Sequence, residues 1–164
     1  MFFIENKKPL YNYEINDWMK KNNINNFIGC YSADNLPPIK KYPSYLIFNY
    51  SPHWKDGCHW IAILFISPEI CYYYDSLGFP PEYLEDFFGY DTNFYKYMKK
   101  YSKYIIYNNK INQEPLSSLC GYYDCIFIYC VDKLNFDIKK FNKYMSKNLE
   151  NNDKTIYKIY KLLD

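Results

Sequence analysis

Apolar and polar positions alternate along the chain in patterns that predict a helix, a group of strands and then more helices. Leu10, Tyr13, Ile15, Trp18 and Met19 recur at helical spacing after Pro9, which predicts a helix over residues 9–22, ended by the asparagine-rich residues 22–26. Asp34-Asn35-Leu36-Pro37-Pro38 reads as a turn-rich loop, because proline restricts both itself and its predecessor. Three strands are predicted next, over residues 44–50, 60–66 and 70–75. The second and third are joined by Ser67-Pro68-Glu69, short enough for a hairpin. The polar residues 51–58 lie between the first two strands.

Residues 78–81 break the chain, and Pro81 is suited to open a short helix through residue 88. A further helix is predicted over 91–101, a short strand over 104–107 and an irregular polar stretch over 108–119. From 120 to 131 almost every residue is apolar or aromatic, as expected of a buried central helix. Two amphipathic, lysine-bearing helices, over 137–149 and 153–163, would cover the outside. The sum is an α+β fold, and 164 residues without a repeat or flexible linker fit a single domain over 1–164.

Composition narrows the function classes. Apolar residues make up 49 % of the chain, enough for one core, but 22 Tyr and 12 Phe carry much of that share. All 20 basic residues are lysine, and alanine occurs only at positions 33 and 62, a bias that points to an AT-rich genome. The net charge of +2 gives little support to a nucleic-acid partner, and the lysines near 96–103 and 139–161 read as solvated helix faces. No apolar run is long enough to span a bilayer, and residues 1–4 are too short for the core of an export signal, so no membrane partner is expected and the six cysteines are read as thiols. No CxxC occurs and His53 and His59 are the only histidines, so neither a metal site nor a cofactor is expected.

Reactive side chains fall at the ends of predicted elements. His59 precedes one strand, Asp75 closes its hairpin partner, and Cys120-Gly121 opens the buried helix, with Gln113 in the loop before it. The hairpin would bring His59 and Asp75 to one end of the sheet, where a carboxylate can hold an imidazole nitrogen. A cysteine at a helix N-terminus is favoured as thiolate, and a neighbouring imidazolium favours it further. Taken singly, each has a plainer reading. Cys120 would serve as an inert core thiol, His59 as a hydrogen-bonded strand end, and Asp75 as a turn-former in Asp-Ser-x-Gly. His53-Trp54 duplicates the His-Trp pair; His59 is preferred because Trp60 leads directly into Ile61-Ala62-Ile63-Leu64-Phe65.

Cys58-His59-Trp60-Ile61-Ala62, Tyr74-Asp75-Ser76-Leu77-Gly78-Phe79, and Gln113 followed after six residues by Cys120-Gly121-Tyr122-Tyr123 resemble, in that order, the motifs of the adenovirus-type maturation cysteine proteases, which group with the SUMO-specific proteases. Phe27-Ile28-Gly29-Cys30-Tyr31 is similar to an early segment of the same family. The resemblance covers roughly residues 15–135. It implies a papain-like, adenain-like protease domain whose mixed sheet packs on the helix that starts at the nucleophile.

The implied roles are Cys120 as nucleophile, His59 as acid and base, Asp75 as its orienting carboxylate, and Gln113 with the Cys120 N–H as oxyanion donors. Trp54, Trp60 and Gly121 would line the substrate groove, with Gly121 leaving room for a substrate backbone. The implied substrates are capsid and core precursors of a DNA virus, a virophage or Polinton-like element by composition, cut at small or glycine-containing sites in the virion or the cytoplasmic virus factory. The family's activating peptide binds through a disulfide to a cysteine whose counterpart here is Ser102, so a peptide activator would act without that bond. The absence of arginine also weakens the case for a DNA cofactor. A deubiquitinating or deSUMOylating protease uses the same residues, and a catalytically idle capsid-binding component is the alternative outside enzymes.

Overall fold

The computed structural model describes residues 7–51, 59–83 and 94–164. Among them a five-stranded mixed sheet runs in chain order: β1 (Phe27–Ser32), β2 (Ser44–Asn49), β3 (Trp60–Phe65), β4 (Ile70–Tyr74) and β5 (Tyr104–Tyr107). The central pairs β2–β3 and β3–β4 are antiparallel, and the outer pairs β1–β2 and β4–β5 are parallel. The helices are α1 (Asn12–Lys21), α2 (Phe94–Tyr101), α3 (Cys120–Leu134), α4 (Ile138–Tyr144) and α5 (Leu149–Leu163). None of the described helices is long and apolar enough to cross a membrane.

Both faces of the sheet are covered, which explains why its strands read as continuous apolar runs without alternation. Tyr45, Ile47, Ala62, Leu64, Tyr72 and Tyr74 face one core with α3, backed by α1, α4 and α5. Leu46, Phe48, Ile61, Ile63, Phe65 and Tyr73 face the other, closed by Phe94 and Met98 of α2. Aromatic rings fill the first core edge to face, with Phe141 against both Tyr74 and Phe127.

Three expectations need correction. Residues 27–32 form a strand that the apolar pattern alone did not predict; all six are half-buried, and a bulge between Phe27 and Gly29 interrupts the register with β2. The outer helices divide at 145–148 instead of 150–152. Met145 is extended, and the Ser146 hydroxyl and the Asn152 side chain hydrogen-bond to backbone and to each other there. Asn148 then caps α5 by accepting from the Asn151 N–H at 3.0 Å. The central helix runs to Leu134, three residues past the expected end, and stops at Asn135 in a left-handed conformation. Of the helix expected over 81–88, residues 81–83 are helical and the rest lie outside the described residues. Ser102 is buried at the end of α2, its hydroxyl donating to the Ser67 carbonyl at 2.8 Å.

Candidate active site

The β3–β4 hairpin is what brings the acid to the histidine. Its register pairs Ala62 with Tyr74, so the residue before β3 and the residue after β4 leave the sheet at the same end. There the His59 Nε2 lies 2.7 Å from an Asp75 carboxylate oxygen, with His59 6 % and Asp75 0 % exposed. The same carboxylate oxygen accepts from the Leu77 N–H at 2.8 Å, and the turn closes with Gly78 N–H to the Asp75 carbonyl at 2.8 Å. Asp75 is further clamped by Asn108, whose side chain accepts from the Asp75 N–H at 3.0 Å and donates to its carbonyl at 2.6 Å. The ring edge of Tyr50 stands against His59, with centroids 5.7 Å apart.

With Nε2 committed to Asp75, Nδ1 is the imidazole nitrogen left for the Cys120 thiol, and each of the two groups shifts the other's pKa. α3 begins at Cys120 without a side-chain cap, so its first N–H groups have no intrahelical partner. The Trp60 N–H donates to the Cys120 sulfur at 3.5 Å, and the backbone N–H groups of Trp60 and Gly121 both favour the thiolate. Burial on its own pushes this thiol up; the hydrogen bond and charge of His59, with the two backbone N–H groups, outweigh it, and the pKa falls below the ordinary 9.0. For His59, burial pulls the pKa down, but the Asp75 carboxylate and then Cys120 lift it well above 6.5. Opposite shifts in a touching pair favour thiolate and imidazolium together.

Gln113 is 2 % exposed and held at both ends: its Oε1 accepts from the Ser76 hydroxyl at 2.6 Å, and its Nε2 donates to the Ser117 carbonyl at 2.7 Å. The polar stretch over 108–119 is thus an ordered loop. Asn112 reaches the Tyr74 hydroxyl at 3.1 Å and Asn142 at 2.8 Å, and its carbonyl accepts from Tyr123 and Asn152. Sequence reading missed these asparagines, and also the Trp60 N–H and Tyr50, because nothing local marks a residue whose partners come from other elements.

Trp60 and Gly121 pack together against Leu10 beside the site. The Trp60 indole donates to the Leu10 carbonyl at 2.8 Å. A Cβ on Gly121 would stand 3.2 Å from the Trp60 ring and 3.3 Å from Leu10. The missing side chain therefore makes room for this packing. Trp54, His53 and Cys58 lie outside the described residues. Among the described residues no cluster of His, Cys, Asp and Glu is arranged to hold a metal.

Asp124, one turn below Cys120 on α3, is fully buried, and neither of its carboxyl oxygens has a hydrogen-bond partner among the described residues. Burial, and after it the charge on Cys120, hold this carboxyl well above 3.8; His59 opposes the rise and Asp75 adds to it. A charge on Asp124 in turn raises the pKa of Cys30, Tyr74 and Cys125. Because the folded state holds the proton more tightly, this group stabilises the fold fully below the unfolded carboxyl pKa of about 3.9. That contribution is lost as pH rises toward the raised folded value, at about 1.4 kcal/mol per pH unit. Asp124→Leu, which keeps the side-chain branching but replaces the two unpaired oxygens with bulkier methyl groups, is expected to stabilise the chain near neutral pH by about 1–3 kcal/mol net of overpacking. Urea unfolding across about pH 4–9 should show the gain growing with pH; a gain that stays flat would mean that Asp124 ionises as an ordinary carboxyl does.

The family model described as adenovirus endoprotease matches residues 27–160, from β1 into α5. Among solved structures the chain is similar to ChlaDub1 from Chlamydia trachomatis, at 14 % identity and a TM-score of 0.48 over 74 % of this chain and 58 % of that one. It is also similar to the central domain of the uncharacterized Lpg1148 protein from Legionella pneumophila, at 11 % identity and a TM-score of 0.41 over 84 % of this chain and 88 % of that one. This chain thus spans little more than half the length of ChlaDub1. A comparison with curated proteins returns no match. The matched stretch contains the whole sheet, the His59–Asp75 hairpin, Gln113 and Cys120, and on it the chain belongs to the adenovirus endoprotease family of cysteine proteases.

Proposed function

We propose that this chain is a cysteine endopeptidase that processes capsid and core precursors of a DNA virus, within the virion or the cytoplasmic virus factory, at small or glycine-containing sites. The observation that carries the reading is the buried His59, held by Asp75 at 2.7 Å and lowering the pKa of the Cys120 thiol at a helix start. The Cys120 thiolate attacks the scissile carbonyl: a C–S bond forms, the carbonyl π pair moves to oxygen, and that oxyanion is met by an N–H of Gln113 and the Cys120 backbone N–H. His59 gives its Nδ1 proton to the departing amine as the C–N bond breaks, leaving a thioester and a neutral imidazole. His59 then takes a proton from water, whose oxygen attacks the thioester, and the returning thiolate restores the ion pair. Asp75 keeps the ring oriented and stabilises the imidazolium in both halves. An activating peptide would not be held through a disulfide at position 102, since Ser102 carries no thiol.

The test co-expresses the chain with capsid and core precursors of the source virus, beside Cys120→Ala. Shortened precursors only with the intact cysteine are the expected result. Efficient turnover of a di-glycine ubiquitin or SUMO reporter, with the precursors left whole, would replace this reading with that of a deconjugating protease. Whole precursors together with an inert Cys120 would leave a protease-like binding component.

A further inference from the structure

We propose that Ser76 is a positioning residue for the oxyanion site, locking the plane of the Gln113 side-chain amide so that its free N–H is aimed at the reacting carbonyl. The proposal rests on the endopeptidase reading above. A primary amide has two N–H groups, and the Ser117 carbonyl takes one of those on Gln113 at 2.7 Å. That carbonyl only accepts, so it settles which end of the amide is nitrogen. It does not settle the rotation of the amide about its last torsion, which is broad for glutamine when nothing external holds it.

The second anchor is the Ser76 hydroxyl, 2.6 Å from Gln113 Oε1, in a place where Ser76 is 0 % and Gln113 2 % exposed. Two anchors at opposite ends of a planar group fix the plane, and the remaining N–H then has one direction. The Ser76 backbone serves the same residue: its carbonyl accepts from the N–H groups of Asn112 and Gln113 at 2.9 and 3.1 Å. Since Ser76 follows Asp75 directly, the turn that carries the orienting acid also holds the oxyanion donor. Ser76→Ala deletes only the hydroxyl and leaves those backbone bonds available.

Two probes of Cys120 separate aim from scaffold. Iodoacetamide alkylates the thiolate at a saturated carbon, the C–S bond forming as iodide leaves, and forms no oxyanion. Acetyl-Gly-Gly aldehyde adds the thiolate reversibly: a C–S bond forms, the carbonyl π pair moves to oxygen, and that oxygen occupies the oxyanion site. Its affinity is read as protection of Cys120 from alkylation, by peptide mass spectrometry. Ser76→Ala is expected to leave the alkylation rate unchanged and to weaken the aldehyde roughly 10-fold, less than the about 100- to 1,000-fold expected from losing the donor in Gln113→Ala. Adding Ser76→Ala to Gln113→Ala should then weaken it no further.

Unchanged aldehyde affinity in Ser76→Ala overturns the proposal, as does an equal fall in both probes, which marks a general structural loss. An undiminished effect in the Gln113→Ala background overturns it too. Rapid alkylation of the wild type with no aldehyde protection denies an oxyanion site at Gln113 and removes the Ser76 role alone. A wild-type Cys120 that neither alkylates fast nor binds the aldehyde overturns the endopeptidase reading and the Ser76 role with it.

Discussion

Replacing His59 with alanine is expected to cut kcat/KM on any cleaved precursor by about 1,000-fold or more, and to abolish the reactivity of Cys120 toward iodoacetamide at mildly acidic pH. The reasoning follows the balance at the sulfur. Burial alone raises the Cys120 pKa, and the contributions that reverse it are led by the hydrogen bond and charge of His59. Without the imidazole, two backbone N–H groups remain to oppose burial, and the thiol should move toward the behaviour of its neighbours. Those neighbours are internal controls: burial pushes Cys30 up to about 12 and Cys130 up to about 11, and Cys125 well above 9.0. In the wild type, alkylation followed across pH by peptide mass spectrometry should therefore label Cys120 alone among these four at low pH. In His59→Ala all four should react slowly until the solution is alkaline. A His59→Ala protein whose Cys120 keeps its low-pH reactivity would mean that the helix start and the Trp60 N–H suffice to make the thiolate, and that the ion pair is not the source of activation.

What the sequence disclosed and what it hid divide along a physical line. Local patterns with local causes were legible. The β3–β4 hairpin follows from two apolar runs separated by Ser67-Pro68-Glu69, and it alone places His59 beside Asp75. The central helix announces itself through an unbroken apolar run that starts at Cys120. β1 was hidden because its partner β2 is parallel to it and lies beyond a proline-rich connection, so no tight turn marks the pairing. The loop that carries Gln113 looked irregular because its order comes from Asn108, Asn112, Asn142, Asn152 and Tyr123, which meet only once the helices have packed. Asp124 was hidden differently. Within an apolar helix it reads as a stray polar residue, and only the fold places it fully buried beneath the nucleophile.

The other large effect is expected away from the reacting atoms, at Gly78. Its φ of +76° lies in the left-handed region, where a side chain is strained, and a Cβ there would stand 2.7 Å from the Lys110 carbonyl carbon and 2.9 Å from both the Lys110 oxygen and the Ile111 nitrogen. All three obstacles are backbone atoms, which cannot rotate aside as the end of a side chain can. Gly78→Ala must therefore either distort the turn that closes on Asp75 or push away the segment at 110–111. The second course pulls on both clamps between these segments, Asn108 on Asp75 and the Asn112 and Gln113 N–H groups on Ser76. Backbone strain and overpacking together are expected to cost about 3–5 kcal/mol, which lowers Tm by roughly 2–4 °C for each kcal/mol in a chain of this size. Gly121→Ala is the instructive comparison: its Cβ would meet the Trp60 ring at 3.2 Å and Leu10 at 3.3 Å, both side chains, and φ there is ordinary. It should cost about 1–3 kcal/mol, clearly less than Gly78→Ala in paired thermal scans. Equal losses at the two glycines would mean that the Lys110 segment yields as readily as a side chain does. The turn would then not be what holds the acid and the oxyanion loop in one arrangement.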